Sequence, residues 1–117
     1  MNKVGEIIKY NEITKNKISF DPNEVLKILR SNFSIFYSWG STNFVVDDTK
    51  NTKMLRFKVN GMKHKGFVYI FLNGADLFDV YFTDKKDVIT KIVSDLYFDQ
   101  LVEVIDEYVE KQSYYRF

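Results

Sequence analysis

The chain of 117 residues has no cysteine, one proline, one histidine and five glycines. Without a thiol it has no disulfide frame, no thiolate metal site and no cysteine nucleophile, which fits a reducing, cytoplasmic setting. The opening Met1-Asn2-Lys3-Val4-Gly5-Glu6 lacks the apolar stretch of a secretory leader. No apolar run approaches the roughly 20 residues that cross a bilayer. A glycine-rich phosphate loop, a zinc-type ligand spacing and a Gly-x-Ser-x-Gly elbow are all missing, so no familiar catalytic signature is present. An excess of one charge is missing too: Lys and Arg number 17 against 16 Asp and Glu, for a formal net charge of +1. No internal repeat or low-complexity tract is visible.

What is abundant is ring and aliphatic side chain. Eleven Phe, eight Tyr and one Trp within a 45% hydrophobic composition are enough to fill a core, and at this length one domain spanning 1–117 is expected. Residues 1–20 read as an N-terminal extension and 112–117 as an aromatic tail. The heavy use of Lys, Asn, Ile, Phe and Tyr is what an AT-rich genome encodes.

In the extension, Val4, Ile7, Ile8, Ile13, Ile18 and Phe20 fit a short helix or a strand equally well. Asp21-Pro22-Asn23-Glu24 is a helix start: Asp caps free N–H groups, Pro at the first helical position loses no bond, and Glu complements the dipole. Val25, Ile28 and Leu29 share one face, and the helix is expected to end near Ser31 or Asn32. Ile35 to Trp39 favours strand residues and stops at Gly40. Strands are then expected at Asn43 to Asp47, Met54 to Asn60, Gly66 to Asn73 and Leu77 to Thr83. Leu55, Phe57 and Val59 alternate with Arg56, Lys58 and Asn60, one face buried and the other wet. Phe67 to Leu72 is apolar at every position, which predicts a central strand covered on both faces. Asn60-Gly61 and Asn73-Gly74 supply residues able to take positive φ in tight turns. Asp87 to Val93 fits a further strand better than a helical lead-in, and Leu101, Val104, Ile105 and Tyr108 recur at helical spacing. The expected fold class is α+β, an antiparallel meander of five or six strands packed against an N-terminal and a C-terminal helix.

Catalytic residues are not apparent. His64 lies between Lys63 and Lys65 in a hairpin connection, with no orienting carboxylate, and reads as an exposed loop residue. Asp47-Asp48 and the pair Asp76 and Asp79 can be imagined as acid/base or magnesium-binding carboxylates, but adjacent Asp residues after strands are ordinary turn formers. No cofactor or metal is expected.

Charge pattern is more informative. Lys50, Lys53, Arg56, Lys58, Lys63 and Lys65 follow one another with no acidic residue between them, a basic hairpin that could meet phosphates while rings nearby stack on bases. Its alternative is an edge guarded by lysines against strand addition. Asp95, Asp99, Glu103, Asp106 and Glu110 fall at steps of four, four, three and four, in one row on a helix that includes them all; the alternative is that Asp95 precedes its start. Such a row mimics a nucleic-acid backbone or docks on a basic protein surface, or is simply the wet face of an amphipathic helix. The tail Gln112-Ser113-Tyr114-Tyr115-Arg116-Phe117 is either an interface segment or a fold-back over the sheet.

Three segments, Gly40-Ser41-Thr42-Asn43-Phe44, Leu72-Asn73-Gly74-Ala75-Asp76-Leu77-Phe78-Asp79-Val80-Tyr81-Phe82 and Tyr97-Phe98-Asp99-Gln100-Leu101, resemble a family of short hypothetical proteins of phages, plasmids and other mobile elements, particularly of Bacteroidetes. The resemblance spans roughly Ile28 to Val109. Where relatives have an Ile-Leu pair and a Gly-Gly turn, Ile28-Leu29 remain and Ser31-Asn32 replace the glycines; the ending differs as well. The resemblance implies a mobile-element origin in a bacterial host and carries no reaction, cofactor or functional residue. Small phage-borne domains without catalytic groups often block host defence by binding. The leading expectation is therefore an anti-CRISPR-type inhibitor that binds an RNA-guided effector nuclease or its guide RNA. It would use Asp99, Glu103, Asp106 and Glu110, or Lys53, Arg56, Lys58, Lys63 and Lys65. The alternative is an RNA or single-stranded DNA binding module of phage replication.

Overall fold

The computed structural model describes residues 2–110; the tail expected to serve as an interface or fold-back lies outside them. The alternation of Leu55, Phe57 and Val59 with Arg56, Lys58 and Asn60 produces the strand β3 (Leu55–Asn60). It sits in an antiparallel meander of β2 (Thr42–Val46), β3, β4 (Lys65–Asn73), β5 (Phe78–Thr83) and β6 (Ile89–Leu96). A two-residue strand, β1 (Lys17–Ile18), joins β4 through Lys17↔Asn73 and Ile18↔Leu72. Four α-helices complete an α+β fold: α1 (Tyr10–Ile13), α2 (Pro22–Leu29), α3 (Phe33–Ser38) and α4 (Leu101–Val109).

Register decides the two faces. Phe57 pairs with Val68 and Val68 with Phe82, while Leu55 pairs with Ile70 and Ile70 with Val80, so these apolar side chains share one face. Val25 and Leu29 of α2, Trp39 after α3, and Leu101, Ile105 and Val109 of α4 close over it in the larger core. Asp21 caps α2 as its sequence predicts, its side chain accepting from Asn23 N–H at 2.9 Å, with Pro22 in the first turn.

The opposite face carries Tyr69, Phe71 and Ile89, all about fully buried. Continuous apolarity in β4 therefore does mean cover on both sides, and the cover is the N-terminal extension. Gly5 N–H and Ile8 N–H donate to the carbonyls of Ile89 and Asp87, and Ile89 N–H donates to that of Glu6. The chain then crosses the face, packing Ile8 and Ile13 into a second core, and pairs with the end of β4 through β1. Lys17 anchors the far end: its ammonium lies 2.7 Å from the carboxylate of Asp79, with the two side chains 15% and 7% exposed.

Two expectations fail. Ile35 to Trp39 is not a strand, since Ile35 to Ser38 falls in α3 and Trp39 caps it. Asn32 caps the helix by accepting from Ile35 N–H at 3.3 Å. Helical spacing also turns Phe36 and Trp39 to the same side, where their rings meet at 5.7 Å; a strand would aim them at opposite faces. The second concerns the Asn-Gly turns. Positive φ falls on Asp76 and not on Gly74 or Gly61. Gly61 is required for another reason, because a Cβ there would stand 2.3 Å from the carbonyl oxygen of Val109. The strand expected at 87–93 is present as β6, which begins at Ile89.

Removing Lys17 leaves the Asp79 carboxylate buried with two weaker donors. Lys17→Ala is expected to cost about 2–3 kcal/mol in urea unfolding, below the range for a wholly unpaired buried charge. The amides of Gly5 and Ile8 should lose hydrogen-exchange protection before those of β4 and β5.

Candidate functional site

The basic hairpin is split by its own backbone. Arg56 and Lys58 point to the face opposite Leu55, Phe57 and Val59, and Lys65 joins them because it pairs with Asn60. Phe67 pairs with Lys58 and lies in the same row. The guanidinium carbon of Arg56 lies 5.0 Å from the ring centroid of Phe67 and 5.9 Å from that of Tyr69, within cation–π range of both. None of Arg56, Lys58 and Lys65 forms an ion pair among the described residues. The Tyr69 hydroxyl donates to Asp87 at 2.8 Å. Burial first, and then this bond to a carboxylate, push the phenol up to about 12.

Lys53 and Lys63 stand apart from that row. Lys53 precedes β3, its N–H closing a turn on the Asp47 carboxylate at 2.8 Å. Lys63 is on the helical side, where its ammonium donates to the Glu107 carbonyl at 2.5 Å. Its N–H and that of His64 both donate to the Val109 carbonyl. The hairpin thus satisfies carbonyls that the end of α4 leaves open.

The acidic row also breaks. Asp99 and Glu103 are exposed, but Asp106 and Glu110 are buried and turned inward. Asp106 flanks the inward stripe of Leu101, Ile105 and Val109, and accepts the indole N–H of Trp39 at 3.0 Å. A Trp with 0% exposure needs such an acceptor. Glu110 accepts from Met62 N–H at 2.5 Å. The acids left on the wet side of the helix are Glu103 and Glu107, with Asp99 exposed in the 3-10 turn before it.

His64 is not an exposed loop residue. Its ring is buried between Phe82, at 6.0 Å, and Tyr108, at 4.9 Å, with no hydrogen-bond partner on Nε2. Desolvation lowers its pKa below 6.5, against a smaller opposing effect of a hydrogen bond with the Thr83 backbone and the charge of Asp84. Asp79 is likewise structural: besides Lys17 it accepts from Asn73 Nδ2 at 3.1 Å and from Asp95 N–H at 3.0 Å. Asp76 takes a left-handed turn position, and Asp47 and Asp48 accept from turn N–H groups. Among the described residues no group of three His, Asp or Glu side chains is placed to hold a metal ion, and no helix is long and apolar enough to cross a membrane.

Sequence reasoning missed the Lys17–Asp79 and Trp39–Asp106 contacts. For Asp79 a signal existed, since an acid inside Phe78 to Phe82 on a face that must be covered requires a cation; its position 62 residues away in Lys17 carried none. Comparison with protein-family models, with curated proteins and with solved structures finds no match to this chain.

Two outcomes follow from these contacts. Asp106→Ala orphans a buried indole N–H and should cost about 1–3 kcal/mol in chemical denaturation, while Asp106→Asn, which keeps an acceptor, should cost less. Because the folded protein disfavours charged His64, stability is complete above the unfolded value of 6.5 and declines as pH falls through and below it. The wild type should lose stability relative to His64→Phe between about pH 7.5 and pH 5; parallel curves would mean that His64 does not titrate in this window.

Proposed function

We propose that the protein is a non-catalytic binding protein of a phage or other mobile element, an anti-CRISPR-type inhibitor that lays its basic sheet face on the guide RNA of an RNA-guided effector nuclease. The supporting observation is the row of Arg56, Lys58 and Lys65 on one sheet face, without ion-pair partners among the described residues and with the Phe67 ring beside it. Phosphates supply the missing countercharge, and ring and guanidinium planes stack on unpaired bases. α4 packs over the other face of the sheet. Its exposed Glu103 and Glu107, with Asp99 in the turn before it, therefore lie on the side away from the RNA and suit a basic protein surface of the same complex. The mobile-element context comes from the resemblance around Gly40 to Phe44 and Leu72 to Phe82; the charge geometry is independent of it.

The same row would serve an RNA or single-stranded DNA binding module of phage replication, and the two roles differ in what they bind alone. An inhibitor binds the loaded nuclease more tightly than bare RNA and stops cleavage, whereas a replication module binds bare strands equally well and leaves cleavage unchanged. In either case three phosphate contacts on a single strand give a slope of log K against log salt of about −2. Joint replacement Lys58→Glu and Lys65→Glu, at a half-buried and an exposed position, should reduce binding by at least about tenfold with an unchanged circular dichroism spectrum. Undiminished binding by that variant would remove the basic face from the mechanism.

A further inference from the structure

At the start of β2, beside the end of β3 and the turn from β5 to β6, the surface sinks into a cavity of about 260 Å3 lined by Gly40, Thr42, Lys58, Val59, Asn60 and Lys85. Its lining residues include two lysines, a threonine and an asparagine, and no Asp or Glu. Lys58 comes from β3, opposite Thr42, and Lys85 from the turn. The acids of that turn are engaged elsewhere. Asp84 accepts from the N–H groups of Lys86 at 2.8 Å and Val88 at 3.0 Å, and Asp87 accepts from Tyr69. Neither pairs with Lys58 or Lys85 among the described residues.

Two like charges brought to one concavity repel each other, and an anion seated between them removes that repulsion. Ammonium groups acting as point charges, with hydroxyl and amide donors around them, suit the several oxygens of a phosphate. The walls are built on fixed backbone. Asn43 takes a positive φ of 56°, and the β2–β3 register shifts between Thr42 and Val45, an irregularity of the kind that re-aims side chains. Gly40 turns the chain at φ 60°, and Asn60 N–H donates to the carbonyl of fully buried Trp39 at 2.7 Å. The volume lies under the roughly 300–1,000 Å3 of small-molecule pockets, so it suits one phosphate group and not a whole nucleotide cofactor.

We infer that this cavity is a phosphate site, in which Lys58 and Lys85 hold one phosphate group of the RNA strand that runs along Arg56, Lys58 and Lys65. It rests on the proposed RNA contact but adds Lys85, Thr42 and Asn60 to it. The phosphate comes either from the strand's interior or from its 5′ end.

The test titrates full-length protein, and its Lys85→Gln variant, with one single-stranded RNA in 5′-phosphorylated and 5′-hydroxyl forms. Affinity and the amide NMR shifts of Thr42, Asn60 and Lys85 are followed. Lys85→Gln should weaken binding roughly five-fold and flatten the salt slope by less than the ~0.7 of a whole phosphate contact, because Lys58 still holds the group. Equal weakening for both strands assigns an interior phosphate; a preference for the 5′-phosphorylated strand that Lys85→Gln abolishes assigns the terminal one. Wild-type binding with unchanged affinity in the variant and unmoved Thr42 and Asn60 amides would overturn the site while leaving the RNA contact standing. Should wild type bind no RNA, the RNA contact fails and inorganic phosphate decides the cavity. Saturable shifts at Thr42 and Lys85 that Lys85→Gln removes would retain it, and their absence would end it.

Discussion

A buried indole N–H that must find an acceptor organises one half of this molecule. Trp39 has no exposure, and Asp106 from the opposite end of the sequence meets its Nε1 at 3.0 Å. That single bond holds the corner after α3 against α4, and the Trp39 carbonyl in turn accepts from Asn60 at the end of β3. Ring packing reinforces it, with Trp39 nearly parallel to Phe57 at 6.4 Å. Gly40, the start of β2 and the end of β3 take their positions from this corner, and with them the walls of the cavity beside Lys58. A hydrogen bond deep in the helical layer thus sets the shape of a surface on the other side of the sheet.

A second constraint acts at the opposite face. The six-residue apolar run Phe67 to Leu72 in β4 cannot be left half in water, so residues 5–18 lie across it from β6 to β4. The Lys17–Asp79 pair fastens that segment. Several ionisable side chains are therefore parts of the scaffold: Lys17, Asp79, Asp106, Glu110, and neutral His64 against Phe82 and Tyr108. Net charge says little about such a molecule. What matters is which charges keep access to water, and on one sheet face these include half-buried Arg56 and Lys58 and exposed Lys65, with exposed Lys85 in the turn beside Lys58.

Much of the architecture was legible because its signals are local. Period-two alternation in β3, unbroken apolarity in β4, the Asp-Pro start of α2 and the helical spacing of α4 each follow from one strand or helix needing one buried face. Strand propensity misled at Ile35 to Trp39, where the cap at Asn32 and the shared destination of Phe36 and Trp39 outweighed it. The face carrying Arg56 and Lys58 was equally readable. Lys63 was not, because only its meeting with the Val109 carbonyl removes it from the row.

The amino-acid sequence by itself determined the α+β class, the order and faces of the central strands, and the outward placement of Arg56 and Lys58, since periodicity within a segment specifies which side chains share a face. Tertiary structure alone decided that Asp106 and Glu110 turn inward, that His64 is buried, and that the N-terminal extension crosses the sheet. The physical reason is range. Burial of an ionisable group depends on partners such as Trp39 for Asp106 and Lys17 for Asp79, more than sixty residues apart along the chain, and no pattern within one segment encodes a partner supplied by another.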